Sequence, residues 1–200
     1  MAYLNYIELT VLYGILIIFL IIYSASRQHE QFNIFSNYME VIELNKLDDD
    51  FFNVLYEMLN KISIPYKCGK NSRYGFAKHR SCIFGLSKGR KSGVIGLSNM
   101  SLLHQDIWDE ILRIGDLICP FNWTSCYVNH NLISTPHVDK GNKGCSLIVS
   151  FGSYTGCNLV INDVKYDANL TPIVFNGSEL EHWNSDDLNG NKYSLVFFNF

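Results

Sequence analysis

The sequence predicts a mainly β domain with flanking helices, an α+β jelly roll, preceded by an N-terminal transmembrane helix. Three observations support this fold class: an uncharged apolar run near the N-terminus, two stretches with helical periodicity, and a series of short strand-like runs after Pro120. With 200 residues, of which 48% are hydrophobic, the chain can bury one substantial core.

The run from Leu9 to Ala25 is predicted to anchor the protein in a membrane. It comprises 17 uncharged residues, at the short end of the ~17–25 that a spanning helix needs. We therefore assign residues 1–26 to a transmembrane anchor that contacts the membrane through residues 7–25. The first cation after Met1 is Arg27, so the positive-inside rule places the remainder of this single-pass protein in the cytoplasm. The alternative is a cleaved signal peptide, although a basic N-terminal region is lacking.

A polar linker, residues 27–47, is predicted to separate the anchor from a domain over residues 48–200. Acidic residues 48–50 suit the first turn of a helix, where the backbone dipole favours negative charge. Apolar residues then follow the helical period: Phe51, Val54, Leu55, Met58, Leu59 and Ile62. Pro65 ends this helix.

A second helix is predicted from Ser101 to Ile114, with Gly115 as its C-cap. Its apolar side would carry Leu103, Ile107, Ile111 and Ile114. Pro120 prevents the helix from continuing.

Short runs rich in β-branched and aromatic residues follow, separated by glycine- and asparagine-containing turns. The predicted strands are Trp123–Asn129, Ser146–Phe151, Asn158–Ile161, Pro172–Phe175 and Tyr193–Phe200, with a shorter candidate at Cys82–Gly85. Helices followed by a run of strands favour a jelly roll with helices against one face.

The charge distribution is uneven, although the net charge is only −3. Residues 61–91 carry nine Lys or Arg and no acid, while the rest of the chain holds seven cations against 19 acids. This basic stretch indicates a polyanionic partner, with Arg73 and Arg80 as candidates for admitting an anionic substrate. The alternative is a solvated region that offsets the acidic remainder. None of the six cysteines forms a Cys-x-x-Cys pair, which argues against a zinc ribbon and leaves a reducing compartment as the simplest setting.

A metal site is predicted from His137, Asp139 and His182. Two imidazoles and one carboxylate are the donor set of a facial triad that binds ferrous iron and leaves three positions open. On an extended segment His137 and Asp139 point the same way, and His182 is expected from a later strand on the opposite wall. An isolated His is more often a surface or hydrogen-bonded residue than a ligand, so the combination carries the prediction.

Lys192 follows His182 by ten positions, and Ser194 lies two residues further on the same face of a strand. A cation and a hydroxyl at the end of a pocket suit a carboxylate. The alternative is a solvated lysine beside the turn at residues 189–191.

These motifs resemble the 2-oxoglutarate/Fe(II)-dependent dioxygenase superfamily across residues 71–200. The resemblance is carried by His137-Val138-Asp139, the glycine-containing turn at residues 152–159, Phe175-Asn176-Gly177, His182 and the last strand, residues 192–198. The pattern is most similar to TET/JBP-type or viral prolyl-hydroxylase-like members. Two positions depart from the TET/JBP-type pattern: Gly156-Cys157 stands where Gly-Gly is common, and Lys192 where Arg is usual.

The resemblance implies a double-stranded β-helix that binds Fe(II), 2-oxoglutarate and O₂ and hydroxylates a protein side chain or a nucleobase, releasing succinate and CO₂. The implied iron ligands are His137, Asp139 and His182, and the implied co-substrate contacts are Lys192, Ser194, Asn129 and Tyr127. Asn129 and Tyr127 could equally be ordinary barrel residues.

Two other functions remain open at this point. One is a catalytically silent jelly-roll module that engages nucleic acid or a protein partner through residues 61–91. The other is a cupin-type metalloprotein that uses iron without 2-oxoglutarate.

Overall fold

Two β-sheets face each other in the computed structural model, which describes residues 41–67, 79–89 and 93–199. The predicted anchor, most of the predicted linker and Arg73 lie outside the described residues. Within the described ranges, no helix is both long and apolar enough to cross a membrane.

Eleven strands and three helices make up this part of the chain. In chain order they are β1 (Ile42–Glu43), α1 (Asn53–Asn60), β2 (Tyr66–Lys67), β3 (His79–Lys88), β4 (Ile95–Leu97), α2 (Asn99–Leu103), α3 (Gln105–Ile118), β5 (Ser125–His130), β6 (Ser146–Thr155), β7 (Leu159–Ile161), β8 (Val164–Tyr166), β9 (Ile173–Phe175), β10 (His182–Asn184) and β11 (Asn189–Phe198). The large sheet has the order β1-β9-β6-β11-β5-β3-β2, with β4 paired to β3, and the small sheet has the order β10-β7-β8.

Side chains alternate between the two faces of the large sheet. On the outer face, Phe151 of β6 stacks on Phe52, next to α1, with ring centres 4.5 Å apart. On the same face, Phe197 of β11 meets Trp123, which packs on Trp108 of α3. The helices therefore cover the outer face, and the inner face is left for the space between the sheets.

A second apolar cluster occupies part of the space between the sheets. It joins the small sheet to β9 and the segments around it, and comprises Leu159, Ile161, Ala168, Ile173, Phe175 and Leu180. The architecture is the predicted mainly β jelly roll with helices on one face.

The helix boundaries differ from the sequence predictions. The first helix begins at Asn53, five residues after Asp48, and it buries Leu55 and Leu59 while Val54 is 55% exposed. The predicted second helix is two helices that meet at His104, and Leu103 is 74% exposed instead of buried. Ser98 explains the earlier start, because its hydroxyl accepts a hydrogen bond from the Ser101 N–H at 3.1 Å.

Gly115 is not a C-cap but a packing site in the interior of α3, which continues to Ile118. A Cβ atom at this position would lie 2.3 Å from the Trp123 ring and 2.8 Å from the Phe197 ring. The helix can approach the sheet here because the residue has no side chain.

Gly115→Ala is therefore expected to destabilise the protein by about 1–3 kcal/mol, even though alanine favours helices, because the Phe197 ring is buried and the Trp123 ring packs against it. Urea unfolding of the purified protein measures the change. Gly96→Ala is the matched control, because a Cβ there meets nothing within 4 Å. Equal stability of the two variants would contradict this account of Gly115.

Candidate metal centre

The backbones of His137 and His182 pair directly with each other. The His137 N–H donates to the His182 carbonyl at 3.1 Å, and the His182 N–H donates to the His137 carbonyl at 2.9 Å. His182 is the first residue of β10, and His137 lies in the connection between β5 and β6. The expectation that His182 comes from an opposite wall is wrong, since the two residues are neighbours at one sheet edge.

The side chains of His137, Asp139 and His182 converge on one point. One Asp139 carboxylate oxygen lies 3.9 Å from His137 Nε2, and the other lies 3.6 Å from His182 Nε2. All three donor atoms lie within 4.8 Å of one another. An octahedral ion with bonds of about 2.1 Å holds neighbouring donors about 3 Å apart, so small side-chain rotations suffice for all three to bind one ion.

Backbone carbonyls fix which nitrogen of each imidazole faces that point. His137 Nδ1 lies 2.7 Å from the Thr135 carbonyl, and His182 Nδ1 lies 2.9 Å from the Leu180 carbonyl. A carbonyl only accepts hydrogen bonds, so each Nδ1 carries the proton and each neutral ring presents the Nε2 lone pair. This outer hydrogen bond is the usual means of orienting a metal-binding histidine.

Packing holds the triad at the wall of an open cavity. Side-chain exposure is 14% for His137, 19% for Asp139 and 8% for His182. The Phe175 ring meets His182 edge-on at 4.9 Å, and the Asp139 N–H donates to the Gly177 carbonyl at 2.7 Å. These contacts hold His182 and Asp139 in place, and the donor atoms of the triad face the cavity.

The cavity has a volume of about 840 Å³ and lies between the two sheets. Three of the predicted co-substrate residues, Tyr127, Asn129 and Ser194, line it together with the triad. Asn129 accepts a hydrogen bond from the Ser81 hydroxyl at 2.8 Å, and Tyr127 stacks on Phe198 with ring centres 5.4 Å apart. The structure brings these side chains to the same space as the triad.

Lys192 is buried and lies on the same face of β11 as Ser194, but it does not line this cavity. Its ammonium donates to the Cys157 carbonyl at 2.7 Å and to the Cys157 sulfur at 3.2 Å. Burial lowers the pKa of Lys192, against the opposing effects of Cys157 and the more distant Asp167 and Asp187. In the described part of the chain, no carboxylate oxygen lies within ion-pair distance of this cation.

Sequence reasoning missed Ser150, which lies directly opposite Ser194 across the β6–β11 pair. The Ser150 side chain is fully buried. The Tyr154 phenol, whose pKa is raised mainly by burial, is near enough for the Ser150 hydroxyl to lower that pKa by hydrogen bonding. A polar ligand beside Ser194 would be a second partner open to this hydroxyl.

Three exposed lysines, Lys88, Lys140 and Lys143, line the cavity, and Asp139 is the single acid among the lining residues. Sequence reasoning included Lys88 in the basic stretch of residues 61–91 and missed Lys140 and Lys143. Arg80, by contrast, shares a face with its strand partner His130, which stacks on Tyr193 on the helix side of the large sheet. Arg80 therefore does not face the cavity, against the prediction that it admits an anionic substrate.

No protein-family model matches the sequence, and no curated protein matches it. Solved structures do match the fold. An oxidoreductase of the 2OG-Fe(II) oxygenase family from Burkholderia pseudomallei is 14% identical with a TM-score of 0.56, and the match covers 85% of this chain and 89% of that one. A prolyl hydroxylase from Trichoplax adhaerens, in complex with a hypoxia inducible factor peptide fragment, is 13% identical with a TM-score of 0.54 and coverage of 89% and 92%.

A third structure, NgTET1 in complex with 5mC DNA, is 14% identical with a TM-score of 0.54, and the match covers 80% of this chain and 72% of that one. These likenesses confirm the predicted double-stranded β-helix, the fold of the 2-oxoglutarate/Fe(II) oxygenases. Within this fold, the His-x-Asp…His triad is gathered in the way that the resemblance implied.

Proposed function

We propose that the protein is an Fe(II)- and 2-oxoglutarate-dependent dioxygenase that hydroxylates its substrate with release of succinate and CO₂. The observation that carries this proposal is the convergence of two Nε2 lone pairs and one carboxylate at the wall of a single cavity. Two neutral imidazoles and a carboxylate with open positions opposite them are the donor set of non-haem Fe(II) oxygenases.

His137, Asp139 and His182 would hold the iron. The hydrogen bonds from Nδ1 of His137 and Nδ1 of His182 to backbone carbonyls keep the two imidazole rings oriented before and after binding. Bound iron and 2-oxoglutarate together supply the oxidising chemistry, in which O₂ is reduced, the co-substrate is cleaved to succinate and CO₂, and a substrate C–H bond gains an oxygen atom. The apolar lining contributed by Leu159, Phe175 and Val196 limits water around the reacting groups.

The co-substrate carboxylate remote from the metal would be held where β6 and β11 pair. Ser194 faces the cavity, and Ser150 offers a buried hydroxyl at the opposite position of the strand pair. Lys192, two residues further along the same face, is a buried cation without a nearby carboxylate, and a ligand carboxylate would compensate its charge. Asn129 and Tyr127 are proposed to contact the co-substrate from β5.

The three lysines at the cavity favour a polyanionic substrate, and we propose a nucleobase within a nucleic acid as the target. Lys88, Lys140 and Lys143 can bind phosphates around an opening that leads to the triad. A protein side chain is the other candidate class, and an acidic peptide would use the same lysines.

A variant with Lys88, Lys140 and Lys143 replaced by Gln is expected to require more nucleic acid for half-maximal turnover. The slope of log affinity against log salt concentration should become shallower by the equivalent of up to roughly three phosphate contacts, since each lysine neutralises about one phosphate. Substrate-independent succinate release should not change, because the triad is intact.

The matched control replaces the exposed Lys46, Lys61 and Lys165, none of which lines the cavity. Equal effects of both triple variants would reject the lysines as the substrate contact, and turnover of peptides alone would assign the substrate to the protein class.

The activity itself is tested by incubating the full-length protein, purified in detergent, with Fe(II), 2-oxoglutarate and a panel of nucleic acids and peptides. Succinate release that rises with one substrate class supports the proposal. Salt-sensitive nucleic-acid binding without iron uptake would instead indicate the catalytically silent module.

We further propose that residues 7–25 anchor the protein in a membrane as a single-pass segment, with the domain on the cytoplasmic side. The support is the uncharged run and the position of Arg27. Protease treatment of sealed membrane vesicles separates the two orientations, because only a domain outside the vesicle is digested.

A further inference from the structure

Cys157 and Lys192 place two nucleophilic groups against each other in the protein interior. The sulfur of Cys157 lies 3.2 Å from Lys192 Nζ. Exposure is 2% for Cys157 and 3% for Lys192, so bulk water has little access to either side chain. The second contact of the amine, to the Cys157 carbonyl at 2.7 Å, keeps the nitrogen beside the sulfur.

The backbone at Cys157 is in a conformation that normally suits glycine. Its φ is +54°, in the left-handed region, and Gly156 before it has a φ of +71°. The Cys157 N–H is held by an Asp187 carboxylate oxygen at 2.8 Å. A side chain at such a position is unfavourable for the backbone, and here it brings a thiol to the buried amine.

The Cys157 thiol contacts a residue that lines the cavity. The Cys157 thiol donates to the Leu132 carbonyl at 3.6 Å, and both Leu132 and Leu159 line the cavity. A single residue in space therefore separates the Cys157–Lys192 pair from the cavity in which O₂ would react.

We propose that oxidation by a peroxide joins Cys157 Sγ covalently to Lys192 Nζ and so forms a reversible redox switch. In the first step, the thiol reduces hydrogen peroxide and becomes a sulfenic acid, with release of one water. In the second step, the neutral Lys192 amine attacks the sulfur, the S–O bond breaks, an S–N bond forms, and a second water leaves with the proton from nitrogen. One thiol, one amine and one peroxide thus give one sulfenamide and two waters.

The lysine is suited to the second step because the attacking species is the uncharged amine. Burial lowers the pKa of Lys192, which raises the fraction of the amine that carries a lone pair. Since the nitrogen already contacts the sulfur, no large rearrangement precedes bond formation. A thiol reductant such as dithiothreitol would cleave the S–N bond and restore both side chains.

The consequence for activity rests on the proposed function. A sulfenamide nitrogen carries no positive charge at neutral pH, so the cross-link would remove the cation proposed to hold the co-substrate. Peroxide would then lower the affinity for 2-oxoglutarate while leaving the triad intact.

The cross-link is tested on the full-length protein by peptide mapping after exposure to hydrogen peroxide. Trypsin should fail to cleave after Lys192, and residues 144–165 should be joined to residues 166–200 with the loss of two hydrogen atoms. Dithiothreitol should separate the two peptides and restore cleavage. A joined pair that retains one extra oxygen would contradict the proposed sulfenamide.

Two variants and one internal control keep the result interpretable. Cys157→Ala and Lys192→Arg should each abolish the joined peptide, the second because the guanidinium is not a nucleophile, and circular dichroism checks that both proteins fold. Cys145 is the internal control, because it is more exposed than Cys157 and lies in the same peptide. Oxidation of Cys145 with Cys157 unmodified, or sulfinic acid at Cys157 without a joined peptide, would overturn the proposal. The mass measurement needs neither iron nor turnover, so its outcome is separate from that of the proposed enzyme activity.

Discussion

Asp139→Ala is expected to lose iron binding and to reduce succinate release at least about 100-fold, since loss of an outer-sphere partner of a metal ligand already costs roughly 10–100-fold. Asp139 supplies the single carboxylate of the triad and faces both Nε2 atoms, at 3.9 and 3.6 Å. Without it, two neutral imidazoles remain, and they bind Fe(II) weakly. His137→Ala and His182→Ala should give the same result.

Iron content of the purified variants and succinate release measure this effect. Asp186→Ala is the matched control, because Asp186 is an exposed acid outside the cavity lining. The triad variants should keep the thermal stability of the iron-free protein, which separates loss of metal from loss of fold. Normal iron content and turnover in Asp139→Ala would reject the assignment of the metal centre.

Lys192→Ala is expected to raise the KM for 2-oxoglutarate about 10- to 100-fold, the effect of removing a hydrogen bond to a charged group worth about 1.5–3 kcal/mol. The kcat should change less, because the lysine would contact the carboxylate remote from the reaction. Lys192→Arg should recover part of the affinity, and Lys165→Ala, which changes an exposed lysine, should leave KM unchanged. An unchanged KM in Lys192→Ala would reject Lys192 as the residue that holds the remote carboxylate of 2-oxoglutarate.

The lowered pKa of Lys192 predicts opposite pH dependences for 2-oxoglutarate binding and for the free energy of unfolding. Burial lowers the pKa of Lys192 in the folded protein, so affinity for the co-substrate should fall as the pH rises through that lowered pKa. The unfolded chain keeps the proton up to the ordinary pKa of lysine and binds more protons in this interval, so the free energy of unfolding of the ligand-free protein should rise with pH there. Both dependences should disappear in Lys192→Ala, as titration of 2-oxoglutarate binding and of urea unfolding can show.

The metal centre was predictable because two of its three ligands, His137 and Asp139, are two residues apart in the sequence. The third ligand, His182, was predicted from its combination with a cation ten positions beyond it and from the resemblance to a known superfamily. Five of the seven strands after Pro120 were predictable for a similar reason, since β-branched runs between turn residues are recognisable within a few positions. The short strands β8 and β10 were not predicted. The helices at residues 99–118 were less predictable, because the role of Gly115 depends on Trp123 and Phe197, which approach it from elsewhere in the fold.

Features that depend on the path of the chain in space could not be predicted. The pairing of His137 with His182 joins segments 45 residues apart, and it replaced the expected opposite wall. The contact of Lys192 with Cys157 depends on the turn after β6, where the left-handed backbone places the thiol and the carbonyl around the ammonium. Ser150 belongs to no sequence motif, and it becomes a candidate ligand contact only because the strand register places it opposite Ser194.

The two hydrogen bonds that join the backbones of His137 and His182 hold the nitrogen donors side by side through contacts that do not involve a metal. Such a preorganised centre differs from a zinc finger, whose ligands come together only when the metal does. Iron could therefore leave and return without the polypeptide unfolding. The amount of active protein in a cell would then follow the supply of ferrous iron on a timescale shorter than that of new synthesis.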